Sequence, residues 1–173
     1  MSAEQQLKKL GIVLPAPLQL PPGARLPFAP VRVRGNRAYV SGHGPLDADG
    51  KICGPFGKVG GGVRDGTIAE VSGVVSPEQA AIAARLTMLA MLTDLRIALG
   101  SLDRISAWLK VLGMVNAAPG FTGMPQVING ASDLILELFG PQIGAHARSA
   151  IGVAELPWNI PVEIEAEVEI DGG

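Results

Sequence analysis

His146-Ala147-Arg148-Ser149-Ala150-Ile151-Gly152-Val153-Ala154-Glu155-Leu156-Pro157, followed by Val162-Glu163-Ile164-Glu165-Ala166-Glu167-Val168-Glu169-Ile170, is the stretch on which the reading of this chain turns. One arginine opens a run of small and β-branched residues, Pro157 bounds a turn, and glutamates then alternate with aliphatics. Alternation with period two marks a half-buried strand. Val162, Ile164, Ala166, Val168 and Ile170 therefore share one face, and Glu163, Glu165, Glu167 and Glu169 share the other. Four carboxylates in a row repel one another, so that face should find water or basic partners. Arg148 is permanently charged and can grip a carboxylate through two parallel hydrogen bonds. Ala150, Gly152 and Ala154 have its parity on an ideal strand and leave space beside it. A glutamate brought near such an arginine can move a proton or hold a water.

Working back from this stretch, Pro125 to Phe139 reads as a helix with Val127, Ile128, Ala131, Leu134, Ile135 and Leu138 inward. Ile105 to Met114 reads as a strand with a buried centre. Ser76-Pro77-Glu78-Gln79 opens another long helix with a capping serine, proline at the first helical position and an acidic first turn. Ile82, Leu86, Leu89, Leu92 and Ile97 recur along it near helical spacing, Met88 and Met91 read as core filler, and Gly100 ends it. Val31 to Ser41 alternates around Gly35-Asn36 as a β-hairpin, and Asp49-Gly50 signals a second turn. Residues 4–12 suggest a short amphipathic helix stopped by Gly11, and the proline-rich Leu14 to Pro30 an extended crossing. The glycine-rich segment 54–75, with Gly60-Gly61-Gly62, has no following Lys-Ser/Thr and reads as a flexible or bulged insertion rather than a phosphate cradle. Hairpin, helix, strand, helix and two strands make an α+β two-layer domain, with two long helices on one face of a mixed sheet. Residues 1–25 are expected to form an N-terminal helix and extension, and 26–173 a single domain.

The 173 residues suffice for one domain with a proper core. With 47% hydrophobic and 17% charged residues the chain is globular rather than disordered. A net charge of −2 supplies no global basic field for nucleic acid. The basic cluster Arg25, Arg32, Arg34 and Arg37 lacks interleaved aromatic platforms and reads as a solvated strand edge. Cys53 is the single cysteine, so no intrachain disulfide forms. The two histidines, His43 and His146, lack carboxylates at ligand spacing, so no metal site is expected. The longest apolar helix carries Arg85, Asp94 and Arg96, which argues against a membrane span. No secretory leader is recognised, and a cytoplasmic protein is the simplest expectation.

The element order, together with several local matches, resembles the RidA/YjgF family, reactive-intermediate deaminases with a chorismate mutase-like fold. The matching pieces are Tyr39-Val40-Ser41-Gly42, the Gln79-Ala80 helix start, Gly100-Ser101-Leu102-Asp103-Arg104-Ile105, Val127-Ile128-Asn129-Gly130, and Ala147-Arg148-Ser149 through Leu156-Pro157 to Val162-Glu163-Ile164-Glu165-Ala166. The resemblance spans residues 26 to 170 and is most specific in the last thirty. It implies a homotrimer with clefts between subunits, no metal or organic cofactor, and hydrolysis of 2-aminoacrylate-type enamines and imines to 2-keto acids and ammonia. Arg148 then matches the arginine that binds the substrate carboxylate. Glu163 matches the glutamate that orients or activates water. Ser41 and Gly42 match the Ser-Gly lining the cleft, and Asn129 a helix asparagine near it. Three positions depart from the family pattern: Phe28 follows Leu26-Pro27 where Gly-Pro-Tyr is common, Ala150 replaces a cysteine, and His43 follows Ser-Gly. Phe28 and His43 thus join the expected substrate-binding set, and His146 is placed to enlarge the anion site. Ser41 has no base and orienter identifiable from sequence, so serine-nucleophile chemistry is not expected.

Two other readings remain open at this level. A non-catalytic carrier or sensor of small carboxylates fits the altered Phe28 and Ala150. An endoribonuclease is suggested only by a label given to relatives, and the acidic charge speaks against it.

Overall fold

The computed structural model describes residues 2–60, 63–64, 67–68 and 74–171. Helix α1 (Ala3–Leu10) is followed by β1 (Val31–Arg34), β2 (Arg37–His43), the short β3 (Val63–Arg64) and β4 (Thr67–Ile68), α2 (Pro77–Leu99), β5 (Ile105–Asn116), α3 (Met124–Ile143), β6 (Ala147–Val153) and β7 (Val162–Ile170). β1, β2, β7, β5 and β6 form one sheet in that order, and β3 pairs with β4. β5 and β6 run parallel and the other neighbours antiparallel, so the sheet is mixed. A parallel pair needs a crossover, which α3 supplies; α2 carries the chain from the hairpin side of β7 to β5.

The alternation in β7 sets the layers. Val162, Ile164, Val168 and Ile170 are nearly fully buried beneath the helices, while the glutamates face the open side of the sheet. There Arg37 pairs with Glu167 at 2.5 Å, and Ser106 Oγ donates to Glu169 at 2.9 Å. Glu167 and Glu169 thus find a basic and a hydroxyl partner for their charge. The same face holds a cavity of about 570 Å³ lined by Phe28, Arg32, Tyr39, Ser41, Lys110 and Glu165 among others.

Helix α2 begins and ends on its sequence signals, whereas α3 starts one residue before the Pro125 read from sequence and runs four residues past Phe139. Ser76 and Gln79 make a reciprocal capping box, and Gly100 closes α2 in the left-handed region at φ 82°. In α3 the six positions read as inward are all buried, and Gly140 at φ 70° breaks the helix before Pro141 adds a last turn. The apolar stripe read for α2 needs correction. Ile82 and Ile97 are 61% and 63% exposed, and the buried side is Ala80, Ala83, Ala84, Met88, Met91, Leu92 and Leu95. The reason is close helix contact: a methyl group at Gly130 of α3 would run into the Ala81 carbonyl. Small residues occupy such a seam and the larger aliphatics are displaced from it. Met88 and Met91 are core residues, as read.

The hairpin turns at Gly35-Asn36, with Gly35 at φ 59°. α1 packs Ala3 and Leu7 into the core, and the following segment has no regular structure. It is held across α2 and the 47–50 turn by Thr93 Oγ1 donating to Pro15 O and Gln19 N to Gly50 O. Of the glycine-rich segment, residues 61–62, 65–66 and 69–73 lie outside the described residues; its flanks meet where Val59 bridges both Val75 and Ala117. No helix among the described residues is long and apolar enough to cross a membrane.

Candidate functional site

The residues singled out in the sequence gather at two corners of the sheet. At the first, Arg148 lies opposite Val111 on β5, which in turn lies opposite Ala166 on β7. Residues facing one another across a ladder point the same way, so Arg148 leaves the sheet on the helix side. Its Nη1 donates to Asn129 Oδ1 at 2.8 Å and to Ser132 Oγ at 3.0 Å. Asn129 and Ser132 are three residues apart on α3 and so share a helix face. The second partner has support of its own. His146 Nδ1 lies 2.7 Å from Gly144 O, which can only accept, so Nδ1 carries a proton. In the neutral ring Nε2 is then an acceptor for the Ser132 hydroxyl, 3.0 Å away. Ser132 thereby keeps its lone pairs for Arg148. Both of these arginine bonds use Nη1; among the described residues the Nε and Nη2 edge makes no hydrogen bond and can meet a carboxylate fork to fork. Ala150 and Gly152 follow on the same face, opposite Gly113 and Val115.

The second corner is built by an irregularity in β2. Val40 pairs with Ala166 but His43, not Gly42, pairs with Ile164, so a bulge falls at Ser41-Gly42. The bulge turns His43 toward α2, where its Nε2 lies 3.0 Å from Asp94 Oδ2, while Nδ1 lies 2.6 Å from Ser41 O. It also lays Gly42 against Glu163: any side chain at position 42 would collide with the Glu163 carboxylate. Glu163 is half-buried, and burial pushes its carboxyl above the ordinary range. The Glu165 charge adds to that rise, and His43 opposes it. A carboxyl in this condition holds its proton to higher pH than a surface glutamate and suits acid–base work. Ser41 is tied down by its N–H to Pro30 O at 2.9 Å and its Oγ to Ala29 O at 2.8 Å, which brings Phe28, 54% exposed, to the mouth of the open-face cavity.

The structure therefore joins Arg148 with Asn129, and lays Glu163 against Gly42, with Ser41 and His43 as its neighbours along β2. It does not join the two groups within one chain. Glu163 pairs with Met114 and leaves the open face, whereas Arg148 leaves the helix face. Two supporting residues were not identified from sequence. Ser132 has a local signal, its three-residue spacing from Asn129; Asp94 has none, since its partner lies 51 residues away.

No family model matches the chain. Protein TCP17 of Trypanosoma cruzi is 36% identical over 149 residues, which cover 86% of this chain and 89% of that protein. The crystal structure of Atu1372 from Agrobacterium tumefaciens, a protein of unknown function, is 37% identical with a TM-score of 0.77, covering 98% of this chain and 92% of that one. A candidate endoribonuclease from Shewanella oneidensis is 26% identical with a TM-score of 0.79, covering 98% of this chain and all of that one. Escherichia coli TdcF, crystallised with bound serine, shares the fold at a TM-score of 0.55 and 19% identity, over 90% and 99% of the two chains. Identity sustained over most of the chain, on a fold common to all of these structures, means that the chain belongs to the RidA/YjgF family.

Proposed function

We propose that this protein hydrolyses small carboxylate-bearing enamines and imines of the 2-aminoacrylate type to 2-keto acids and ammonia. What supports the reading is that the chain carries both a pre-held guanidinium, Arg148, and, at a separate corner, a half-buried carboxyl that favours its proton, Glu163. Arg148 binds the substrate carboxylate. Glu163 delivers a proton to the enamine carbon, giving an iminium ion, and as a carboxylate takes a proton from the water that adds to the C=N carbon. Collapse of the resulting carbinolamine releases ammonia, so that aminoacrylate and one water become pyruvate and ammonia. Positioning and charge stabilisation supply the rate gain. No metal or organic cofactor enters these steps.

Because the two corners open on opposite faces of the sheet, the site requires Arg148 of one copy to face Glu163 of another. A homotrimer with intersubunit clefts satisfies this, and the open face, with Tyr39 45% and Ile151 43% exposed, offers surface for it. In solution the expected mass is three times 17.9 kDa. A second reading, a non-catalytic carrier or sensor of small carboxylates, is favoured by Phe28 and Ala150, which place neither a phenol nor a thiol in the pocket. TdcF with its bound serine accords with either reading. The deciding experiment is release of ammonia and pyruvate from freshly generated 2-aminoacrylate. Release above the spontaneous rate, lost in Arg148→Ala, supports the enzyme; ligand-induced melting shifts without turnover select the carrier.

A further inference from the structure

At the first corner both ring nitrogens of His146 are engaged within the chain, Nδ1 with Gly144 O at 2.7 Å and Nε2 with Ser132 Oγ at 3.0 Å. The ring therefore has no N–H to offer an anion at Arg148, unlike the sequence expectation that it enlarges the site. The end of α3 sets its tautomer. Gly144 N donates to Gly140 O at 2.8 Å, and a side chain at position 144 would run into that same oxygen. The Gly144 carbonyl is held by this last turn, and it keeps the proton on Nδ1 and leaves Nε2 bare. A doubly protonated ring would instead aim a second cation at the oxygen that already receives the guanidinium N–H.

We propose that His146 is a positioning residue that acts through Ser132. By accepting the Ser132 hydroxyl proton it turns the oxygen's lone pairs to Arg148, and so holds the free Nε and Nη2 edge of the guanidinium in the orientation that grips a planar carboxylate. The relay rests on the role given to Arg148 above. Nη1 carries two hydrogens, and both are used, one on Asn129 Oδ1 and one on Ser132 Oγ. Two bonds to one nitrogen stop the planar group from turning, whereas a single bond leaves it a hinge. Two parallel bonds to a carboxylate need that fixed direction. A round anion makes no such demand, because charge attracts it wherever the plane of the guanidinium points. Losing the relay therefore costs selectivity for a carboxylate over a halide, and leaves the attraction for anions in place.

The test compares pyruvate with bromide on the same samples, pyruvate by isothermal titration and bromide by its competition against pyruvate. In His146→Phe pyruvate affinity should fall about fivefold, while bromide affinity changes by less than about twofold. His146→Gln, whose amide oxygen can accept the Ser132 proton, should keep most of the pyruvate affinity. The double variant His146→Phe with Ser132→Ala should bind pyruvate about as His146→Phe does, since both changes cut one relay. Three results overturn the proposal: unchanged pyruvate affinity in folded His146→Phe, an equal loss for bromide, or losses that multiply to roughly 25-fold in the double variant. Should His146→Phe fail to fold, the ring ¹⁵N spectrum of the wild-type protein decides, since a protonated Nε2 on His146 contradicts the relay and a bare one supports it. Should the wild type bind no pyruvate, the receptor role of Arg148 fails, and arginine ¹⁵N spectra judge the relay alone. Separate Nη1 and Nη2 signals of Arg148, assigned by their absence in Arg148→Ala, should then merge in His146→Phe, and identical spectra would overturn it.

Discussion

Arg148 and Glu163 are supported in contrasting ways. Around Arg148 the supports are hydrogen bonds in series, from Gly144 O through His146 and Ser132 to Nη1, with Asn129 alongside. Around Glu163 the determining factors are burial, a neighbouring like charge and an opposite one. The first arrangement fixes the direction of a charge that never changes. The second sets whether a charge is present at all. A receptor for a carboxylate requires the former and an acid–base group the latter, so the comparison itself argues for different roles at the two corners.

Four measurements would break or sharpen this contrast. The largest effect is expected in Glu163→Gln, where turnover should fall by roughly 10²–10⁴-fold while affinity for a small 2-keto acid changes little. Equal losses of affinity and turnover would dissolve the division of labour. Arg148→Ala should lose affinity as well as activity, with carboxylate binding weakened roughly 10- to 100-fold, ammonia release lost alongside it and the melting temperature nearly kept. Isothermal titration and thermal melting on the same samples check both points. Ser132→Ala removes one of the two bonds to Nη1 and should weaken affinity about fivefold. An unaltered Kd would mean that Asn129 alone orients the guanidinium.

The smallest effect is on stability and has a definite sign. The Glu163 carboxyl is raised in the folded protein above its ordinary value of 4.5, so the native state binds that proton more tightly than the unfolded chain does. Its favourable contribution is fully present below the ordinary value and is lost as pH rises through the folded one. Glu163→Gln should therefore melt with the wild type at about pH 4 and about 1–2 °C above it at neutral pH, a modest gap because the group is half exposed. A gap that widens toward acid would contradict the raised carboxyl.

Much of the fold could be read directly. The period-two pattern of β7 and the inward face of α3 emerge from the positions of the strong aliphatics, and the ends of α2 from Ser76 and Gly100. The face of α2 could not, because its seam against α3 is selected for small size rather than hydrophobicity, and alanine carries little periodic signal. The site divides in the same way. Arg148 and Glu163 stand out in a single stretch, but their supports come from elements that the stretch does not contain.

What the sequence by itself determined is the local geometry: the strand that carries the glutamates, the helix that carries Asn129, and the residue types able to bind an anion or move a proton. These follow from periodicity, capping and side-chain chemistry, all of which act over a few residues. Only the tertiary structure decided that Arg148 and Glu163 leave opposite faces, that a one-residue bulge in β2 turns His43 onto Asp94, and that Ser132 stands behind the arginine. Register, bulge and helix placement are set by how whole layers pack, and a one-residue shift moves a side chain to the other side of the sheet.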